Sequence, residues 1–294
     1  MIKVKPLPIS FEFFPPKSAE TKHELMITAR EFSQYQPQFF SVTFGAGGST
    51  RAGTLDTVKE ISMNTRVLAI PHLTCIGFDR HEMLQVLEQY HAAGVRSIVT
   101  LRGDIPPAGL TKPGEFQYAS ELVNLIRDTY GNYFHLAVAA YPEIHPQAIS
   151  ALEDVQNLKR KYDAGANVAI TQYFFNPDGY FYYVDECTKA GINMSIIPGI
   201  MPVTQFARLA RFSDMCGAEI PRWIRKRLES YGDDAESVQK FGLEVVSKLC
   251  QTLIAGGVPG MHFYTLNKLD GMVRLLQSLG FSSAANESRE AIAI

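Results

Sequence analysis

Residues 137–141 read A-V-A-A-Y and residues 195–198 read S-I-I-P, two short runs that lack the apolar–polar alternation of a half-exposed strand. Strands of this kind are typical of a parallel sheet whose two faces are both covered by helices. Segments with helical periodicity lie between such runs along the chain, and this alternation predicts repeated βα units.

The strand candidates can be counted from one end of the chain to the other. Eight runs begin near Ile9, Phe39, Val67, Ser97, His135, Val168, Met194 and His262. Eight βα units without a linker or a break in composition favour one closed (β/α)8 TIM barrel over an open sheet, because eight strands suffice for closure. The predicted fold class is therefore α/β, with one domain over residues 1–294.

The interval between the seventh and eighth strands is much longer than the others. Three segments within it have helical patterns, at residues 204–216, 221–229 and 235–255. We therefore expect extra helices between strands 7 and 8. Two helix starts are also expected elsewhere, because Thr21 with Glu24 and Asp79 with Glu82 have the spacing of capping boxes.

The composition excludes several classes of protein. The chain has 294 residues, 46% of them apolar, and a net charge of −2, so it has no overall basic field for nucleic acid or an anionic membrane. The four cysteines are scattered, which argues against a disulfide framework and a structural metal. No export signal or membrane span is indicated, and we expect a soluble, cytoplasmic protein without a metal.

Polar residues follow most of the apolar runs. In a parallel barrel the carboxyl ends of all strands meet at one mouth, so these residues are read together as one site. They are Glu12, Thr43, His72, Arg102, Asp104, Tyr141, His145, Gln172 and Tyr264. Their number predicts a polar site at the mouth.

Glu12 is the strongest candidate for catalysis. It stands among Phe11, Phe13 and Phe14, and an acid flanked by aromatic rings is expected to keep its proton near neutrality and to act as a general acid. Asp104 is open to two interpretations, a functional acid or one partner of a strand-end ion pair with Arg102.

Three other features remain ambiguous. His72 alone is more typical of a satisfied structural histidine than of a ligand contact. Gln172 is either a layer residue of the barrel or a contact to a ligand. The G-A-G-G stretch at residues 45–48 is either a weak phosphate-binding loop or a flexible turn.

The segment after the fifth strand predicts a helix from Pro146 onward. Its apolar residues are expected to be buried, namely Ile149, Leu152, Val155 and Leu158. A second stripe carries Asp154, Asn157 and Lys161. That stripe is either a solvated face or a surface that binds the ribose, base and diphosphate of a dinucleotide.

Eight strings stand in a specific order along the chain. They are S-F-E-F-F-P-P, S-V-T-F-G-A, P-H-L-T-C, L-R-G-D-I-P-P, A-A-Y-P-E-I-H-P, N-L-K-R-K-Y-D-A-G-A-N-V-A-I-T-Q, I-I-P-G-I-M-P and H-F-Y-T-L-N. In this order the chain resembles the bacterial methylenetetrahydrofolate reductase family, a family of FAD-dependent flavoproteins, over nearly its whole length.

The resemblance implies which residues form the site. It places the catalytic acids on Glu12 and Asp104. It places the FAD contacts on Phe44, Ala46, His72, Arg102, Gly103, Asp104, Tyr118, Ala119, Tyr141, His145, Ala148, Asp154, Asn157, Arg160 and Lys161. It places the contacts to the nicotinamide and folate substrates on Thr43, Gln172, Phe212, Tyr264 and Lys268, the last of which stands where an Arg is familiar.

The resemblance also implies a reaction. Reduced nicotinamide, from NADH or NADPH, passes a hydride to FAD in a ping-pong cycle, and 5,10-methylenetetrahydrofolate is then reduced to 5-methyltetrahydrofolate, which supplies methyl groups for methionine synthesis. Glu12 would protonate N10 of the folate, and Asp104 would make the reduced flavin a better donor. The resemblance further implies a homodimer or homotetramer, and no regulatory domain is expected within the 294 residues.

Two other classes of function stay open at the level of sequence. A flavin-free barrel lyase or aldolase would need a Schiff-base lysine at a strand end, and no such lysine is evident. A non-catalytic flavin or folate carrier would not need an ionisable group beside the ring.

Overall fold

The structure, a computed structural model, describes residues 7–44, 51–104 and 114–283. Eight parallel strands close into a barrel in the order β1 to β8. The strands are β1 (Ile9–Phe13), β2 (Phe39–Val42), β3 (Ala69–Thr74), β4 (Ser97–Leu101), β5 (His135–Ala140), β6 (Val168–Tyr173), β7 (Ser195–Ile200) and β8 (Met261–Tyr264). The predicted (β/α)8 fold is confirmed, with every strand start within two residues of its expected position.

Helices follow the strands and cover the outside of the barrel. They are α1 (Ala19–Ser33), α2 (Arg51–Thr65), α3 (Arg80–Ala92), α4 (Ala119–Tyr130), α5 (Ala151–Asp163), α6 (Pro177–Lys189), α7 (Phe206–Cys216), α8 (Arg222–Ser230), α9 (Ala235–Ala255) and α10 (Asp270–Ser278). The three helices predicted between strands 7 and 8 are confirmed as α7, α8 and α9. None of the helices in the described ranges is long and apolar enough to cross a membrane.

Of the two predicted capping boxes, one is confirmed and the other is wrong. The capping box of Asp79 and Glu82 at the start of α3 is confirmed. The box expected at Thr21 and Glu24 is wrong, because Ser18 caps α1 and Thr21 is its third helical residue, bonding back to the backbone of Ser18. A short hydroxyl at this position can close a capping box as Glu does.

The start of α5 also differs from the expectation. The helix begins at Ala151 behind the cap Ser150, several residues after Pro146. Ile149 is 92% exposed and Leu152 is 64% exposed, so the prediction that both are buried is wrong. The delayed start turns Asp154 inward at this end of the helix, where it accepts a hydrogen bond from the backbone of His145.

Alternation along the strands sorts side chains between the helix layer and the barrel interior. Phe11 and Phe13 point outward against Phe32 of α1, where the rings of Phe11 and Phe32 stack at 4.6 Å. The interior then has two sides. The polar wall, on β8, β1, β2 and β3, consists of Ser10, Glu12, Ser41, His72 and His262. The apolar wall, on β4 to β7, consists of Val99, Leu101, Ala137, Ile170 and Ile197. The same cluster continues below the polar wall through Ile70, two residues before His72 on β3, and Phe39, two residues before Ser41 on β2.

Candidate active site

Glu12 points into the barrel from the end of β1. Its Oε2 lies 3.5 Å from Nε2 of His72 on β3 and 3.7 Å from Nε2 of His262 on β8. The side chain is only 12% exposed. The expectation that aromatic rings surround this acid is wrong, because the period-2 alternation of a strand sends Phe11 and Phe13 to the opposite face. Two imidazoles surround the carboxyl group instead.

His262 is held in place by Ser10. The Ser10 hydroxyl and Nδ1 of His262 are 2.8 Å apart, and both side chains are buried. Because Nδ1 is engaged with Ser10, the opposite nitrogen of the ring is the one that faces Glu12. Neither residue is predicted from the sequence as part of the site. The available signal was the i, i+2 spacing of Ser10 with Glu12 on a barrel strand, which places both side chains on the interior face.

His72 is buried beside the same carboxyl group. Burial lowers the pKa of His72 to about 4, an effect that the nearby Glu12 charge opposes and His262 reinforces. The ring is therefore neutral at neutral pH. Within the described residues, Nε2 of His72 and Oγ of Ser41 are buried and have no hydrogen-bond partner. Buried polar atoms are normally satisfied, so this part of the mouth suits a polar ligand.

The loop after β8 braces the end of β1. Thr265 donates its hydroxyl to the backbone carbonyl of Glu12 at 2.6 Å. The Asn267 side chain accepts from the backbone N–H of Phe14 at 2.9 Å and donates to its carbonyl at 3.0 Å. Leu266 and Asn267 both have positive φ, at 53° and 56°, an unusual conformation that tends to occur at functional sites. Thr265 and Asn267 are likewise not predicted from the sequence as part of the site.

A second cluster joins the ends of β4 and β5 to α5. Arg102 donates to the side-chain oxygen of Gln147 at 2.5 Å. The backbone N–H of His145 donates to Asp154 at 2.8 Å, and the rings of Tyr141 and His145 meet edge to face at 4.6 Å. The bond from Arg102 to Gln147 joins residues that are 45 positions apart in the sequence.

Lys161 is the buried cation of this cluster. It reaches from α5 to the end of β5, where its Nζ donates to the carbonyl of Ala139 at 2.5 Å. Burial lowers the pKa of Lys161 to about 8, and the Asp154 charge opposes that shift. Burial likewise lowers the pKa of His145, with further contributions from the Arg102 and Lys161 charges. Arg102 and Lys161 therefore carry the positive charge of this cluster, and a bound anion would favour their charged forms.

The expected acid Asp104 follows β4 at the same end of the barrel as Glu12 and is exposed. Because β4 is three strands from β1 in the closed ring, the two carboxyl groups stand on different sides of one mouth. Gly103, before Asp104, has φ of 89°, and a Cβ there would meet Cβ of Thr74 at 2.9 Å. A glycine is thus required by both conformation and space.

Comparisons with known proteins identify the family of the chain. Residues 1–280 match the family described as methylenetetrahydrofolate reductase. The chain belongs to this family. The 5,10-methylenetetrahydrofolate reductase of Salmonella typhimurium is 42% identical over 272 residues, which cover 92% of this chain and 90% of the relative. The methylenetetrahydrofolate reductase (NADH) 1 of Arabidopsis thaliana is 36% identical over 95% of this chain and 49% of its own length.

A solved structure supports the fold. An uncharacterized protein from Clostridium thermocellum, described as binding two copies of 5-methyl-5,6,7,8-tetrahydrofolic acid, superposes with a TM-score of 0.62 over 95% of both chains. Its sequence identity to this methylenetetrahydrofolate reductase family member is 14%, so the likeness shows a shared barrel and no more.

The residues at the mouth fit the FAD that the family resemblance implies. A diphosphate needs cations, and Arg102 and Lys161 provide them on one side of the mouth, with the His145 ring beside them and against Tyr141. A flavin ring needs polar partners, and the unpartnered Nε2 of His72 is one such buried group. No group of three or more His, Cys, Asp or Glu side chains in the described ranges could hold a metal ion.

The remaining expected site residues are spread around the mouth. Tyr118 caps the start of α4, where Ala119 is the first helical residue, and Cys75 links the Tyr118 carbonyl to that of Arg102. Ala148 donates its backbone N–H to the carbonyl of His145, and Asn157 accepts a hydrogen bond from Arg160 on α5. Ala46 and the G-A-G-G stretch at residues 45–48 lie outside the described residues.

The expected substrate contacts come from several elements. Thr43 follows β2, Phe212 lies on α7, and Lys268 is exposed in the loop after β8. Phe44, an expected FAD contact, comes directly after Thr43. Tyr264 differs from the others, because its hydroxyl donates within the protein, to the carbonyl of Thr171.

Proposed function

We propose that this chain is an FAD-dependent methylenetetrahydrofolate reductase that converts 5,10-methylenetetrahydrofolate to 5-methyltetrahydrofolate. The single observation that carries the proposal is the buried Glu12 carboxyl group between the imidazoles of His72 and His262. An acid held inside a barrel mouth can deliver a proton to a bound substrate. Membership of the family supports the folate as that substrate.

Glu12 would act as the general acid at N10 of the folate. His262, positioned by Ser10, lies on one side of the carboxyl group, with its Nε2 3.7 Å from Oε2 of Glu12. His72, neutral because burial lowers its pKa, lies on the other side and adds no positive charge. Thr265 and Asn267 hold the strand end that carries the acid. The acid is therefore both positioned and kept from bulk water.

The cluster on β4, β5 and α5 would hold FAD. Arg102, His145 and Lys161 would bind the diphosphate, and Asp154 would keep Lys161 charged. Asp104 would stand at the flavin, where its negative charge disfavours an anionic reduced ring. When bound, FAD supplies hydride transfer from a reduced nicotinamide to the folate.

We propose NADH as the reductant, in a ping-pong cycle in which nicotinamide and folate use the same face of the site in turn. The name of the Arabidopsis thaliana relative, which specifies NADH, supports this choice. Thr43, Gln172, Phe212 and Lys268 would contact the two substrates. Supply of methyl groups to methionine synthesis, a cytoplasmic location and a dimeric or tetrameric assembly remain predictions.

One observation bears on the aldolase alternative. Lys161 reaches the end of a strand and has a lowered pKa, two properties that a Schiff-base lysine needs. Its amino group is already bonded to the Ala139 carbonyl and lies beside Asp154, which suits a phosphate-binding cation better than a nucleophile.

An absorbance scan of the purified protein tests the proposal. We expect a yellow protein with flavin bands, which bleach when NADH is added without oxygen and return when methylenetetrahydrofolate follows. A colourless protein that does not take up added FAD would contradict the flavin assignment. Flavin bands that NADH cannot bleach would instead favour the carrier.

A further inference from the structure

Tyr264 spans the floor of the barrel mouth from β8 to β6. Its hydroxyl donates to the backbone carbonyl of Thr171 at 2.6 Å, across the intervening strand β7. The side chain is partly buried, and burial together with the Glu12 charge raises its pKa well above the ordinary value for tyrosine. The hydroxyl therefore stays protonated and acts as a donor.

Gly199 on β7 leaves the space in which the Tyr264 ring lies. A Cβ at Gly199 would stand 2.1 Å from the Thr171 carbonyl oxygen and 2.6 Å from the Tyr264 ring. Any side chain at this position would displace both groups. Gly199 is also tied to the same residue, because its backbone N–H donates to the Thr171 hydroxyl at 2.8 Å.

The bond from Tyr264 falls where β6 is irregular. Three steps along β6, from Ile170 to Tyr173, pair with two steps along β7, from Ile197 to Gly199. The extra residue is a β-bulge, a feature that redirects a side chain. The residue that follows Thr171 in this bulge is Gln172, whose side-chain oxygen accepts from the backbone N–H of Tyr173 at 3.0 Å.

We infer that Tyr264 and Gly199 are positioning residues for Gln172, and that the Tyr264 hydroxyl acts on the Thr171 carbonyl instead of on the substrate. The bond holds the bulge, and the bulge sets the direction of the Gln172 carboxamide. This inference rests on the proposed function, in which Gln172 contacts the folate. The role of Gly199 is to leave room for the Tyr264 ring and the Thr171 carbonyl group, which a side chain would displace.

Tyr264→Phe tests the inference, with Tyr180→Phe as the matched control. Tyr180 is also a buried tyrosine whose hydroxyl donates to a strand carbonyl at 2.6 Å, that of Ile196 on the helix side of β7. Both variants lose one equivalent hydrogen bond, so thermal unfolding should shift to a similar extent. Only Tyr264→Phe should weaken folate binding, by about fivefold to tenfold, measured from the folate concentration that reoxidises the reduced flavin without oxygen.

A double-mutant cycle identifies the residue through which Tyr264 acts. In the Gln172→Ala background, Tyr264→Phe should change folate affinity by less than about twofold. The same full loss in both backgrounds would show direct contact between Tyr264 and the substrate and would overturn the inference. Unchanged folate affinity in Tyr264→Phe, or an equal loss in Tyr180→Phe, would also overturn it.

Gly199→Ala adds an independent arm and should weaken folate binding more than Tyr264→Phe does, because it displaces both groups. At saturating NADH the rate of flavin reduction should stay within about twofold in the Tyr264→Phe variant, since the cofactor cluster is elsewhere. The NADH concentration needed for half-maximal reduction should rise, because Gln172 contacts both substrates in the proposed function. Failure of the proposed function itself would be evident before any substitution, as a parent protein whose flavin the folate cannot reoxidise, and the inference would fall with it.

Discussion

The two walls of the barrel interior differ in chemistry although they share one backbone architecture. The apolar wall, on β4 to β7, is built from Val, Leu, Ala and Ile and packs as the inner layers of such barrels usually do. The polar wall, on β8, β1, β2 and β3, buries one carboxyl group, two imidazoles and two hydroxyl groups. A polar group that is buried without a hydrogen-bond partner costs about 1–3 kcal/mol. The polar wall therefore lowers the free energy of unfolding, and packing of the apolar wall must offset this loss.

The two walls obtain their polar groups from different elements of the structure. Strands of the polar wall carry their own, at interior positions such as Glu12 and His262. The apolar side receives polar groups at its upper end from loops and from α5, as when Lys161 bonds to the carbonyl of Ala139. In the proposed function, proton transfer and binding of the cofactor diphosphate thereby lie on different sides of one mouth.

The largest expected effect breaks the polar wall. Glu12→Gln keeps the shape of the side chain but removes the proton that the folate needs, so folate reduction should fall by about 10²–10⁴-fold. Reduction of the flavin by NADH needs no proton from Glu12 and should be nearly unchanged. Anaerobic stopped-flow measurement of the two half-reactions compares them directly. Equal loss in both half-reactions would refute the role assigned to Glu12.

The next effect breaks the apolar wall. Ile170→Ala removes buried methyl and methylene groups from the interior cluster and should lower the free energy of unfolding by about 2–5 kcal/mol. Both half-reactions should persist at temperatures where the variant is folded. Denaturant titration measures the loss, and Ile149→Ala, at a 92% exposed position, serves as the control with a change within about 0.5 kcal/mol. Slower folate reduction in folded Ile170→Ala would show that this wall does more than pack.

The fold and the contents of the two walls differ in how well they can be predicted from the sequence. The eight strands, and the helices before β8, follow from runs and periodicities that are local, and these were predicted correctly. The mouth as the site of polar residues follows from parallel topology. The partners of Glu12 do not follow, because His72 and His262 lie on the distant strands β3 and β8, and only the closure of the barrel brings them to β1.

Local patterns also failed where burial depends on where a helix starts. The apolar residues Ile149 and Leu152 match a helical stripe, yet the cap at Ser150 leaves one before the helix and the other on its exposed side. Asp154, a charged residue on the same helix, is buried instead. A periodicity indicates that a helix exists, but the packing partner decides which stripe is covered.

The smallest expected effect concerns His72, a residue of the polar wall that stays uncharged in the folded protein at neutral pH. The pKa of His72 is about 4 in the folded protein against 6.5 ordinarily, so below pH 6.5 the unfolded chain takes up a proton that the folded chain does not. Stability should therefore be full above pH 6.5 and should fall as the pH drops toward 4. Between pH 7 and pH 5 the loss from this group is on the order of 2 kcal/mol.

Denaturant titrations at pH 7 and pH 5 measure this difference in the parent protein and in His72→Gln, whose side chain cannot take up the proton. The fall in stability should be smaller in His72→Gln by that amount, whereas His23→Gln, on the exposed side of α1, should follow the parent protein. Glu12 and His262 are the ionisable groups that face His72, and they act on its pKa in opposite directions. Parallel pH dependences in the parent and His72→Gln would mean that Glu12 compensates the buried charge, and that the polar wall can hold a protonated imidazole.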